Sequence, residues 1–334
     1  MKTFLTYDYE LFMGDVCGSI QNCLITPLDE ILPILDKYQA RATFFVDAAY
    51  LLRLTELKGQ YESLQSQHKM LVDNIRYLER LGHDVELHIH PQWYFSSYNG
   101  ICWKMDLDHF KLSDMDRSMV DEKVTESQQL LESIIGRETH AFRAGGYSIQ
   151  DLENYDDFFI KHHLMVDSTV LTGLKFDSEN QRYDYSMVKT STPYLFGNDI
   201  TKEDNNGKVL EVPITTYAVG KIRYLEHLLF RKLHASLLKR AGDGHAIVPS
   251  NNTLYSRGQR VLCRDNFFSA SFDDASGRWI NKIFNGQYAT DSDMVVISHP
   301  KLHTKYSALK MKSFFEYAKG KTEYWTMSQL LNSR

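Results

Sequence analysis

Gly82-His83-Asp84-Val85-Glu86-Leu87-His88-Ile89-His90-Pro91-Gln92-Trp93 is a short apolar run that ends in two histidines one residue apart. Alternate residues of a strand point to the same side, so Glu86, His88 and His90 share one face. Imidazoles gathered at the C-terminal edge of a strand are a common way to hold a divalent metal, and zinc suits them best. Taken alone, such a pair also serves as a hydrogen-bonded element of a core. Glu86 reads more readily as a partner for an imidazole N–H than as a ligand.

Outward from this stretch, short apolar segments alternate with helical patterns. Residues 4–7, 42–46, 85–88, 141–143, 164–167, 209–213 and 294–298 read as strands. Helical spacing falls at 27–38, 69–81 and 113–135, with Ser113 and Asp116 in capping-box positions at the last of these. Strand and helix in turn imply an α/β protein with a parallel sheet, either open or closed into a barrel. Two stretches, about 175–207 and 249–290, break the rhythm without a hydrophobic period of their own. They read as insertions on one domain spanning 1–334.

The chain has 334 residues, 43% of them hydrophobic, enough for one large core. Its net charge of -5 is spread along the chain with no basic stripe, which argues against nucleic-acid binding. The amino terminus runs directly into a strand pattern with no signal-peptide core, and no apolar run is long enough to span a membrane. Cys17, Cys23, Cys102 and Cys263 form no C-x-x-C pair and read as reduced thiols, so a cytoplasmic location is expected. Residues 224–238 have helical apolar spacing, but Arg231, Lys232 and Lys239 interrupt it. A packed helix is expected there, with no stable membrane insertion.

Parallel α/β folds bind ligands at the C-terminal ends of their strands, and reactive residues recur at those ends here. The first strand runs into Asp8-Tyr9-Glu10, the third into His88 and His90, and the fourth into Arg143-Ala144-Gly145-Gly146-Tyr147. The fifth reaches Asp167-Ser168, and a late one reaches Ser298-His299-Pro300.

In this order the motifs resemble the polysaccharide deacetylase superfamily, the NodB-homology carbohydrate esterases, over nearly the whole chain. The resemblance implies a distorted, seven-stranded (β/α) barrel that removes acyl groups, usually N-acetyl, from sugars with a bound divalent metal. It assigns Asp8 as catalytic base, Arg143 as the group that orients it, Asp167 as the acid of the fourth motif and His299 as general acid. His88 and His90 correspond to the metal histidines, and zinc is the expected ion. Two spacings depart from the family pattern: Asp8-Tyr9-Glu10 replaces adjacent aspartates, and H-x-H replaces H-x-x-x-H. The metal carboxylate is then Glu10, or Asp8 with its role changed. On this reading His299 is held by Asp167, and Arg143 keeps Asp8 ionised.

Trp93 and Trp103, with Tyr147 of the arginine motif, are candidate substrate-binding rings, since aromatic faces stack on sugars. The alternative is that the tryptophans pack their loop against the barrel. His83 and His303 read as structural or exposed, His162-His163 as a helix end, and Gly145-Gly146 as a tight turn, not a phosphate loop. The expected substrate is an N-acetylated sugar, nucleotide-sugar or lipid-linked glycan precursor. An amidase of a non-sugar amide and a catalytically silent glycan-binding protein are the competing functions.

Overall fold

A single curled sheet organises the chain, and a computed structural model describes it over residues 1–178, 181–245 and 266–334. Its strands are β1 (Lys2–Tyr9), β2 (Thr43–Asp47), β3 (Asp84–Ile89), β4 (Ala141–Ala144) and β5 (Val166–Asp167). They continue with β6 (Tyr194–Phe196), β7 (Val209–Glu211), β8 (Met294–Ser298) and β9 (Glu323–Trp325). The spatial order is β6-β7-β5-β4-β3-β2-β1-β8, with β9 also paired to the start of β1. Every pairing is parallel except the antiparallel edge of β6 on β7.

The seven segments read as strands from the sequence are the seven successive parallel strands β8-β1-β2-β3-β4-β5-β7. Beyond them the sheet curls toward closure through irregular backbone. Thr215 N–H donates to the Val295 carbonyl at 3.2 Å, and Ile297 N–H donates to that of Ala270 at 2.9 Å. The architecture is therefore a distorted (β/α) half-barrel. β2, β3 and β8 are buried at every position, as expected of parallel strands covered on both faces.

Helices with one apolar stripe cover the outside. Leu71, Val72, Ile75 and Leu78 are buried along the helix Glu62–Arg80, and Val120, Val124 and Leu131 along Arg117–Ile135. The first helix begins a full two turns before the sequence period becomes clear. Asp116, not Ser113, stands at the N-cap of the second, while Ser113 falls in a preceding turn where Asp114 accepts the Lys111 N–H at 2.7 Å.

Within residues 175–207 lie the hairpin Lys175–Asp177 with Arg182–Asp184 and the edge strand β6. Of the stretch 249–290, residues 249–265, including Cys263, are outside the described residues. Its remainder pairs Asn266–Ser269 with Thr216–Val219 and sends Trp279, Ile280, Ile283 and Phe284 into the main core. Among the described residues Cys17, Cys23 and Cys102 are unpaired, and no helix is long and apolar enough to cross a membrane.

Candidate active site and metal centre

The parallel register delivers the reactive side chains to one end of the sheet. β1 lies beside β2 and β8, and β3 lies between β2 and β4 with His88 opposite Asp47 on one side and Arg143 on the other. Glu10, His88 and His90 converge, each offering one ligand atom within 4.8 Å of the others, and all three are buried. Glu10 Oε2 lies 3.1 Å from His88 Nε2 and 2.5 Å from His90 Nε2. Because His88 donates its Nδ1 proton to the Arg143 carbonyl at 2.7 Å, its Nε2 carries a lone pair in the neutral ring. Two imidazole nitrogens and a carboxylate oxygen are the donor set of a catalytic zinc site that keeps a position open. The residues therefore fit a divalent ion, with Glu10 supplying the carboxylate.

Gly145 is required beside this cluster. A Cβ there would lie 2.5 Å from the Ile89 carbonyl and 2.8 Å from the His90 ring. The next two residues, Gly146 and Tyr147, both have φ of 60°, so the tight turn read from the glycines is present and Tyr147 pays strain to hold it. Tyr147 stays partly exposed beside Asp8, whose charge adds to the effect of burial in pushing the phenol well above its usual range.

Asp8 accepts a 2.6 Å bond from Arg143 Nη1. The guanidinium is itself buried, donating Nε to the Ser168 carbonyl at 2.7 Å and Nη2 to Ser168 Oγ at 2.9 Å, with its plane 4.2 Å from the Phe45 ring. Burial pushes the Asp8 carboxyl up, but Arg143, His88 and His299 outweigh it and hold the group below its ordinary value. Glu10 is likewise held well below the carboxylate range against the cost of burial, chiefly by Lys301, whose Nζ donates to Glu10 Oε1 at 2.8 Å and to the Leu11 carbonyl at 2.7 Å.

His299 presents Nε2 to Asp8 Oδ2 at 3.6 Å and to Glu10 Oε1 at 3.7 Å. Its other nitrogen lies 2.7 Å from Asp273 Oδ2, and its backbone N–H donates to Asp273 Oδ1 at 2.9 Å. The burial that disfavours the imidazolium is outweighed by Asp273, Asp8 and Glu10, so the ring titrates above its usual value. Asp273 thus takes the place the sequence reading gave to Asp167. The Asp167 oxygens instead accept Thr169 Oγ1 at 2.7 Å and Thr169 N–H at 3.3 Å, beside Glu211 in register on β7. Burial pushes Asp167 up to about 6 and Glu211 well above the carboxylate range, the Asp167 charge raising the cost of ionising Glu211.

The expectations for Glu86, Trp93 and Trp103 are corrected, while those for His83 and His303 agree with the structure. Glu86 does not serve an imidazole, because its strand position places it at the opposite end of the sheet, where it binds Arg137 and the His140 and Ala141 N–H groups. Trp93 is 0% exposed, packed between Tyr50 and Trp103 with centroid distances of 4.5 and 5.3 Å. Trp103 is also buried, so neither indole offers a face to a sugar, and packing of the loop is their role. His83 and His303 are structural: His83 Nδ1 accepts the Ala42 N–H at 3.2 Å, and His303 Nε2 lies 3.1 Å from Glu30.

The sequence reading missed Asp47, Asp273 and Lys301. Asp47 ends β2 and caps the following helix, accepting the Tyr50 and His90 N–H groups at 3.4 and 3.3 Å. Burial raises its carboxyl, with His90 and His88 opposing. The strand-end rule that found the other residues points to Asp47 as well. Lys301 lies two residues past His299 and was equally within reach of that rule. Asp273 carries no such signal, since it comes from a connection with no strand period.

Residues 22–154 match the family profile described as polysaccharide deacetylase. No curated protein matches the sequence. Among solved structures, the chain is similar to a candidate polysaccharide deacetylase from Mycobacterium smegmatis, at 14% identity and a TM-score of 0.51 over 92% of this chain and 77% of that one. It is also similar to Puue allantoinase, at 11% identity and a TM-score of 0.51 over 99% and 89%. At these identities the structural likeness speaks for the fold alone, and the profile match for a similarity over residues 22–154. Over residues 22–154 the chain is similar to the polysaccharide deacetylases, and its D-x-E and H-x-H spacings depart from the pattern of that family.

Proposed function

We propose that the protein is a metal-dependent hydrolase that removes an N-acetyl or other acyl group from a sugar, nucleotide-sugar or lipid-linked glycan precursor. The observation that carries this reading is the convergence of Glu10, His88 and His90 beside an Asp8 held ionised by Arg143 and a His299 whose imidazolium is favoured by Asp273. Glu10, His88 and His90 would hold the ion, zinc by their donor chemistry. A divalent ion there supplies Lewis acidity to the acyl oxygen and makes water more acidic.

The chain's own residues supply the proton transfers. Asp8, aimed by Arg143, takes a proton from the water whose oxygen bonds to the acyl carbon. His299, kept protonated by Asp273, gives its proton to the sugar nitrogen as the C–N bond breaks, leaving acetate and the free amine. Each transfer is worth about a hundred- to ten-thousand-fold in rate. Tyr147, strained and partly exposed beside Asp8, would contact the substrate.

The test is acetate release from N-acetyl sugars with zinc present, using Asp8→Asn as blank. Equal release by both proteins overturns the role of Asp8. Release from simple acyl amides but from no N-acetyl sugar reassigns the protein as a non-sugar amidase. Purified protein with no bound metal and no thermal stabilisation by zinc overturns the metalloenzyme reading in favour of a silent glycan-binding protein.

A further inference from the structure

The helix Lys221–Leu233 turns an apolar stripe to solvent. Ile222, Leu225, Leu229 and Leu233 are 76, 52, 57 and 68% exposed. At 3.6 residues per turn they fall within an arc of about 80°. The opposite side faces the body of the protein: His227 is buried 4.7 Å from the Phe268 ring, and Arg231 pairs with Asp274 at 2.8 Å. Leu228 and Leu237 extend the exposed surface. A packed helix was expected over these residues, yet its interior contacts come from Tyr224, His227, Phe230 and Arg231 while its leucines point outward.

Charge identifies the partner. The helix carries Lys221, Arg223, Arg231 and Lys232 against the single acid Glu226, in a chain whose net charge is -5. Arg223 is neutralised by Glu226 and Arg231 by Asp274, but Lys221, Lys232 and the nearby Lys239 have no ion pair among the described residues. Lys221 and Lys232 flank the stripe on the side of Leu228. An amphipathic helix with cations bordering an outward apolar face is the form that lies in the plane of an anionic lipid surface.

We propose that the helix Lys221–Leu233 docks the protein on anionic membranes, inserting Ile222, Leu225, Leu229 and Leu233 at the headgroup boundary while Lys221, Lys232 and Lys239 meet lipid phosphates. This surface is independent of the chemistry at the metal centre. It does lie close to it, since Arg231 and Arg240 both hold Asp274, the neighbour of the Asp273 that holds His299.

Flotation of the full chain with vesicles of phosphatidylcholine alone, or mixed with phosphatidylglycerol, tests this. Binding is expected to the mixed vesicles only and to weaken with salt. Serine at all four stripe positions is expected to abolish it without altering the circular dichroism spectrum. The triple variant Lys221→Gln, Lys232→Gln, Lys239→Gln should weaken it about a hundredfold, at about fivefold for each lysine. No binding by the wild type, or binding that neither variant changes, overturns the proposal. Wild-type dimerisation that the serine variant abolishes, without vesicle binding, gives the face to a second copy. Loss of thermal stability in the serine variant, again without vesicle binding, gives it to another part of the same chain.

Discussion

His299 turns its Nδ1 onto Asp273 at 2.7 Å and leaves its Nε2 facing Asp8 at 3.6 Å. In the proposed reaction the carboxylate fixes which nitrogen would face the substrate and favours the imidazolium that would donate the proton. Asp273→Asn keeps the shape and removes that charge. A fall in kcat of about a hundred- to ten-thousand-fold is expected, with KM and bound zinc unchanged. Steady-state kinetics with metal analysis check it, and an unchanged kcat removes Asp273 from the mechanism.

Asp8 and Arg143 form a buried ion pair at 2.6 Å, and the guanidinium has no water to fall back on. Arg143→Met strands the carboxylate and should cost about 3–5 kcal/mol in urea unfolding. Adding Asp8→Asn to that variant removes the stranded charge and should return part of the loss. If the double variant is no more stable than Arg143→Met alone, the uncompensated charge is not what destabilises the single variant.

How far the sequence could be read follows from where each residue sits. Glu10, His88, Arg143 and His299 lie at or just beyond the ends of strands whose apolar runs announce them, so strand periodicity and a C-terminal-end rule bring them together. Glu86 shows the limit of the same rule: it shares the face of His88, but one pleat repeat farther back carries it to Arg137 and away from the site. Asp273 was hidden because it meets His299 through tertiary folding of an irregular connection. Trp93 misled because stacking and packing call for the same ring, and only burial separates them. The helix Lys221–Leu233 misled in the opposite way, since periodicity marks an apolar stripe without saying whether it faces the core.

The Glu10, His88 and His90 cluster makes a direct prediction for metal removal. Zinc at a hundred times its dissociation constant should stabilise the wild type by about 2.7 kcal/mol. Glu10→Gln and His88→Gln should each lose most of this gain and release zinc to a weaker chelator, as followed by calorimetry and metal analysis. An equal gain in wild type and both variants would place the ion elsewhere.

His83 sets a pH dependence unrelated to the active site. Its Nδ1 accepts the Ala42 N–H at 3.2 Å, so the native ring must be neutral. Burial, with Arg41 adding to it, pushes its pKa from 6.5 down to about 4. A folded value below the unfolded one means that the unfolded chain binds the extra proton first. The stabilising effect of the neutral ring is therefore complete above pH 6.5 and declines as pH falls toward about 4, a loss of about 3 kcal/mol. His83→Asn keeps an acceptor near the Ala42 N–H without a titrating group. Its stability should fall less steeply than that of the wild type between those two pH values, and parallel curves from urea titrations would show that His83 is already charged in the native state.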